Sequence, residues 1–484
     1  MFLGEGEVAA PALAVDIGAE REKISTSAIP VLDARPFATE GPMLISFSVK
    51  NWKSFRDQAT LSMVASLERQ HRDRLAQIRK RAPALRLLPI TAIYGGNASG
   101  KSNLVKALDF AQRFIVDGTK KITAAIPRQH FRLDKSKINE PTRFSFTILV
   151  NEDGAEKIYE FSFALTEKEV VEEELKRFFF SNGTEKEELL YRRQKDRPEL
   201  ELGAHLQNDA RLDFSFKATR TNQLFLTASV SQNIETFRSV YDWFHKSLTV
   251  LFPESKFQRL DLLGDESSPL YSRMNELFSY FDTGIERLDG DVIPWDKISS
   301  MIDIEFKNYL ESLEEGMTLR LELGPALFVS VTKTNEELLV RRLLAVHKGN
   351  DGMDVPFNFG DESDGTKRLL DIIPVLASVP SVTHPPVFVI DELDRSLHSN
   401  LTRKIVELYL DGCSQSSRAQ IIFTTHDTTL LDQEVLRRDE IWITERNYAG
   451  ATSLRSFSEY KDVRYDKDIR KSYLQGRMGG VPKI

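Results

Sequence analysis

Apolar and polar positions begin to alternate at Met43. In Leu44-Ile45-Ser46-Phe47-Ser48-Val49 the apolar residues fall on every second position, the period of a half-buried strand. Ala59-Thr60-Leu61-Ser62-Met63-Val64 repeats the pattern. Ile90-Thr91-Ala92-Ile93-Tyr94 is a short apolar run ending on two glycines. Leu104, Ala107, Leu108, Ala111 and Phe114 then recur at helical spacing, so a helix is expected from Asn103 to Val116. Segments 143–150 and 157–165 predict antiparallel strands around the turn Asn151-Glu152-Asp153-Gly154. Residues 222–316 read as mostly helical without sustained heptads, and strand patterns return at Met317–Thr332. Val387-Phe388-Val389-Ile390 is the unbroken apolar run of a strand buried on both faces.

Charge fills the gaps. Residues 66–86 are expected to form a surface loop or helix, and residues 166–200, dense in Glu, Lys and Arg, a solvated hairpin and helix. Residues 1–42 lack clean periodicity and read as a flexible extension; without a basic start and apolar run they are not a secretory leader. The 484 residues are 41% hydrophobic and 28% charged. That is ordinary globular composition, enough for about three structural units. Lys+Arg is 65 and Asp+Glu 72, for a net charge of −7, so no global basic field draws the chain to nucleic acid. Cys413 is the single cysteine, which excludes an internal disulfide and favours the cytoplasm. No apolar stretch approaches a membrane span.

The strongest motif is Gly95-Gly96-Asn97-Ala98-Ser99-Gly100-Lys101-Ser102, with Asn103 opening the helix behind it. It fits G-x-x-x-x-G-K-[ST] between a strand and a helix. Its glycines let successive N–H groups face a phosphate, and the helix N-terminus adds positive potential. Lys101 is expected on the β- and γ-phosphates of ATP, and Ser102 on Mg²⁺. Asp391, at the end of the apolar run, is a second Mg²⁺ candidate, and Glu392 is placed to orient or deprotonate the attacking water. Ser363-Asp364-Gly365 begins a helical pattern 28 residues before Asp391. Ala419–Thr425 predicts a second buried strand ending at His426.

This ordered set resembles the ABC-type ATPases. The resemblance implies that Ser363 and Gly365 of one subunit contact the γ-phosphate held by another, that Asp394 lines the dimer seam, and that His426 senses the γ-phosphate. Met43–Val64, Asp391–His398 (DELDRSLH) and the terminal YLQGRMGGVPKI look like the SMC-, RecF- and OLD-like ATPases of prokaryotic anti-phage defence loci, including Septu- and retron-associated subunits. The fold implied is α/β: a P-loop NTPase head of ABC type, a mixed sheet with an antiparallel β subdomain, and an inserted mainly helical domain. The expected division is an extension at 1–42, an N-terminal lobe at 43–189, a helical lid or partner-docking domain at 190–316, and a C-terminal lobe at 317–484. The signature departs from Ser-Gly-Gly, and Gln129 is the weak candidate for a metal-reading glutamine.

Only 58 residues follow His426, too few for the nuclease domain fused to OLD-family heads. Asp289-Gly290-Asp291 is read as a turn rather than a metal pair. The leading expectation is a cytoplasmic Mg-ATPase that dimerises, or forms a higher homo-oligomer, through ATP. It would regulate a separate effector, a nuclease encoded nearby, with nucleic acid reached through the complex. The alternative is an SMC- or RecF-like repair or chromosome ATPase that binds DNA directly, through a basic patch at 66–86. A transporter subunit and an inactive scaffold fit less well.

Overall fold

The computed structural model describes residues 41–78, 85–119, 121–181, 184–256, 269–324, 327–378, 386–460, 469–477 and 479. Residues 1–40, nearly all of the expected extension, lie outside them. The central sheet runs β11 (Leu248–Leu251), β17 (Val387–Ile390), β18 (Gln420–Thr424), β5 (Ile90–Tyr94), β19 (Ile441–Arg446) and β20 (Thr452–Ser456). The first five strands are parallel, and β20 closes the edge antiparallel to β19. Every residue of β5, β17 and β18 is buried, as continuous apolar runs covered on both faces should be. The register pairs Ile390 with Phe423 and Thr424 with Ile93. The carboxyl ends of the three strands therefore open on one edge, where open α/β sheets bind ligands.

A seven-stranded antiparallel sheet packs beside it. Its order is β10 (Arg197–Leu202), β9 (Thr184–Gln194), β8 (Val170–Ser181), β7 (Ala155–Leu165), β6 (Thr142–Glu152), β1 (Met43–Lys50) and β2 (Ala59–Ser62). α1 (Lys101–Val116) lies between the two sheets, and its apolar residues, Leu104 to Ile115, join one core with β1, β6, β7, β17 and β18. Aromatic rings fill that core: Phe47–Phe146, Phe146–Phe244 and Trp243–Phe244 lie 4.7, 4.9 and 4.9 Å apart. Such pairs contribute about 0.5–1.5 kcal/mol each beyond their burial. A third sheet is built of β12 (Arg287–Ile293), β15 (Glu337–Lys348), β14 (Leu327–Thr334) and β13 (Thr318–Leu323), with β16 (Asp354–Asn358) on β15. It carries its own small core with α6 (Asp296–Ser299) and α7 (Ile304–Glu311). The pair β3 (Ala76–Ile78) and β4 (Leu85–Leu87) completes the strands described.

Four expectations change. Among the described residues, 166–200 hold the expected hairpin, β8 and β9, but no helix, and β10 extends the antiparallel sheet instead. Their charges pair across strands, Arg177 with Glu188 at 2.6 Å and Lys176 with Glu187 at 2.8 Å, so a charge-rich text suits a solvated sheet face. The stretch 190–316 is mixed rather than mainly helical. It holds α2 (Ala210–Ala218), α3 (Phe225–Ser231), α4 (Arg238–Asp242) and α5 (Pro269–Tyr280), but β11 joins the central sheet and β12 the third. Asp289-Gly290-Asp291 lies in β12 and not in a turn; there Arg342 on β15 holds Asp291 at 2.6 Å. In segment 66–86, Arg74 is buried and paired with Glu440 at 3.0 Å instead of facing solvent; residues 79–84 lie outside the described ones. The helices α8 (Asp364–Ser378), α9 (Ser399–Asp411) and α10 (Ile469–Leu474) follow. Among the described residues, no helix is long and apolar enough to cross a membrane.

Candidate functional site

The loop Gly95–Gly100 joins β5 to α1, as strand and helix patterns predicted. Gly100 has φ +116°, and a Cβ there would meet the Thr452 hydroxyl at 2.5 Å. At Gly95 a Cβ would collide with the hydroxyls of Thr444 and Ser99. Both positions need glycine because neighbouring strands press on the loop. Ser99 Oγ and Thr444 Oγ1 share a 2.6 Å hydrogen bond, and Thr452 Oγ1 donates to Ser99 O at 2.8 Å. Asn103 donates its side-chain N–H to Ser54 Oγ at 2.8 Å. The loop is thus held open from β19, β20 and the turn at Ser54. None of these braces was visible in the motif, because their partners lie tens to hundreds of residues away.

Lys101 turns back into the loop and donates to Gly95 O at 2.8 Å and Gly96 O at 3.3 Å. Burial brings its pKa down to about 8, against the pull of Asp391, Asp394 and Glu392. Ser102 Oγ donates to Asp391 Oδ1 at 3.2 Å, and Asp391 is buried. Thr424 Oγ1 donates to the same carboxylate oxygen at 2.7 Å and accepts the N–H of Glu392 at 2.8 Å. Sequence reading placed Thr424 in the strand but missed this role. Glu392 sits at φ +52°, a left-handed conformation that costs a non-glycine residue about 1–2 kcal/mol. Its side chain lines the cleft beside the loop. Ser102 and Asp391 bring hard oxygen donors together at the start of α1, a donor set that fits Mg²⁺.

A cleft of about 680 Å³ unites Asn97 to Asn103 with Glu392 and His426. Gln129 also lines it, as do Lys53, Arg132 and Arg446, which the motif search did not reach. His426 follows β18, and its backbone N–H donates to Asp394 Oδ2 at 3.2 Å. Burial first, and the Lys101 charge second, hold its imidazole below the usual histidine range. Ser363 and Gly365 do not line this cleft. Ser363 caps α8, accepting the Thr366 N–H at 3.1 Å, and is itself exposed. Gly365 packs on Ser396 just past Glu392, where a Cβ would lie 2.9 Å from the Ser396 carbonyl. Cys413 stands apart: burial pushes its thiol up, and Sγ contacts Tyr409 O at 3.3 Å. The tail returns to the loop through Tyr473, whose ring meets Tyr94 at 5.9 Å and whose hydroxyl pairs with the Gly95 backbone.

A family profile described as "AAA domain, putative AbiEii toxin, Type IV TA system" matches residues 90–432, more than half of the chain. The matched span begins at β5 and runs past His426. Among solved structures, the crystal structure of an SMC head bound to the C-winged-helix domain of ScpA matches at 13% identity and a TM-score of 0.41. The match covers 86% of this chain and 98% of that one. No curated protein matches the chain.

Proposed function

Since the chain belongs to this AAA-domain family, we propose that it is a Mg-ATPase of ABC type that closes as a dimer on ATP and thereby regulates a separate effector. One observation carries the reading. The loop from Asn97 to Asn103, Glu392 and His426 line a single cleft, with buried Asp391 held behind it through Ser102, while the exposed Ser363 at the start of α8 stays outside it. A cleft lined by the loop on one side, with the Ser363 hydroxyl exposed on a separate surface, suits a site shared between two copies.

On binding, Lys101 exchanges the carbonyls of Gly95 and Gly96 for the β- and γ-phosphates. The N–H groups of the loop and of the α1 start face the same charge. Mg²⁺, held through Ser102 and Asp391, would offset charge on the phosphate oxygens. Glu392 accepts the proton of the attacking water, and His426, which lines the same cleft, would face the γ-phosphate. Ser363 and Gly365 of the second copy would complete the donor set around the γ-phosphate, with Asp394 at the seam. ATP then links the two copies, and hydrolysis releases them. The effector is expected to be a nuclease in a defence locus.

Light scattering of purified Glu392→Gln with and without ATP tests this first. A particle of twice the monomer mass that persists with ATP supports it; a monomer under both conditions refutes the shared site. A tagged copy purified from its host with ATP and Mg²⁺ tests the effector. A co-purifying nuclease in fixed ratio supports that part. A homo-oligomer carrying only DNA would move the reading to DNA maintenance.

A further inference from the structure

Arg368 sits on α8, one turn beyond Gly365, and is only 6% exposed. Among the described residues its Nε and Nη2 have no hydrogen-bond partner. The remaining nitrogen, Nη1, donates weakly to Pro253 O at 3.4 Å. An unsatisfied buried guanidinium is costly, and native structures rarely keep one without use. Asp371, whose charge acts on it, is already held by Arg320 at 2.6 Å. The other charges acting on Arg368 are Arg395, Glu254 and Glu392.

Those three residues form a chain. Arg395 Nη1 lies 3.3 Å from Glu254 and 4.0 Å from the Glu392 carboxylate. The segment after β11 ties the chain together. Leu251 O accepts the Asp391 N–H at 2.8 Å, Pro253 O receives Arg368, and Glu254 receives Arg395. Residues 251–254 are thus a strap fastened at one end to the Asp391–Glu392 turn and at the other to the helix that begins at Ser363 and Gly365.

We infer that Arg368 is a positioning residue for hydrolysis, which sets the Glu392 carboxylate through the 251–254 strap and Arg395 according to the placement of α8. The inference rests on the hydrolytic reading of the cleft. With α8 as it stands, the Arg368 guanidinium is unsatisfied and Arg395 is shared between Glu254 and Glu392. When a second copy's nucleotide engages Ser363, a small shift of α8 lets Arg368 take Glu254. Arg395 is then free to orient Glu392 toward the attacking water. Nucleotide contact in trans would in this way license the general base.

The test is steady-state ATP hydrolysis by the full chain carrying Arg368→Met, Arg368→Lys, Glu254→Gln or Arg395→Gln, each alone and with Glu392→Gln. Arg368→Met is expected to lower kcat roughly tenfold with KM for ATP changed less than about twofold, as misplacement of a catalytic group does. Arg368→Lys should recover most of the loss. With Glu392→Gln present, Arg368→Met should cost nothing more, because its effect runs through that carboxylate. Glu254 and Arg395 are 77% and 49% exposed, so their variants fold even if Arg368→Met does not: Arg395→Gln should show the same selective loss in kcat, whereas Glu254→Gln, which releases Arg395 to Glu392 directly, should leave kcat undiminished. Unchanged kcat in Arg395→Gln, a lowered kcat in Glu254→Gln, or an equal loss from Arg368→Met with and without Glu392→Gln, overturns the inference. A wild-type chain that does not hydrolyse ATP overturns the functional reading itself, a separate result.

Discussion

Lys101 combines a folded-back geometry with a pKa brought down to about 8 by burial. A triphosphate restores its full charge, so binding takes up a proton when the free lysine is partly neutral. ATP affinity is therefore expected to be at its plateau below about pH 8 and to fall above it, by up to tenfold per unit. Calorimetry in two buffers of different ionisation enthalpy checks this, since proton uptake near pH 8.5 makes the apparent enthalpies differ. Thr424 is the second informative residue. Its hydroxyl satisfies a buried carboxylate oxygen and the Glu392 N–H together. Thr424→Val leaves both unpaired, at about 1–3 kcal/mol. Turnover is expected to fall at least about tenfold while nucleotide binding persists; fluorescent-nucleotide titration beside a phosphate-release assay separates the two. The Thr424 role could not be read from sequence, because a threonine inside a buried strand has no spacing that marks its partner.

The elements owe their places to patterns of differing clarity. β1, β5, β6, β7, β17 and α1 follow the apolar periodicity closely, since each buries a long or continuous apolar face. β11 does not announce itself. Leu248-Thr249-Val250-Leu251 is four residues long, follows helical aromatics, and becomes a strand because β17 offers a parallel edge. The solvated hairpin expected in the charged text at 166–200 is β8 and β9, whose charges pair across the strands, while β10 takes the place of the expected helix. Arg418, just before β18, joins three elements. It pairs with Glu156 on β7 at 2.8 Å, donates to Gln77 O on β3 at 3.2 Å, and is 3% exposed in its side chain. Arg418→Met strands the Glu156 carboxylate at the seam between the sheets. A loss of about 3 kcal/mol is expected, readable as a lower urea midpoint in equilibrium unfolding.

For the whole molecule, the separation of Ser363 and Gly365 from the cleft sets a test that no monomeric site would pass. Lys101→Ala removes the phosphate lysine, and Gly365→Arg blocks the helix start against Ser396. Each alone is expected to be inactive in ATP hydrolysis. An equimolar mixture should regain part of the wild-type rate, because a mixed dimer holds one site with an intact loop from one copy and an intact α8 from the other. No recovery on mixing means that each copy works alone.

By itself the sequence determined the phosphate loop, Asp391, Glu392 and the strand leading to His426. These are contiguous segments whose local pattern and chemistry coincide, so each can be read without knowing its neighbours. Tertiary structure decided what holds them: Thr444 and Thr452 against the loop, Thr424 beneath Glu392, β11 beside β17, and Arg368 behind the strap. Most of these contacts join residues more than a hundred positions apart, and a hydroxyl or guanidinium shows no period of its own. Only the packing of the strands brings them within reach of one another.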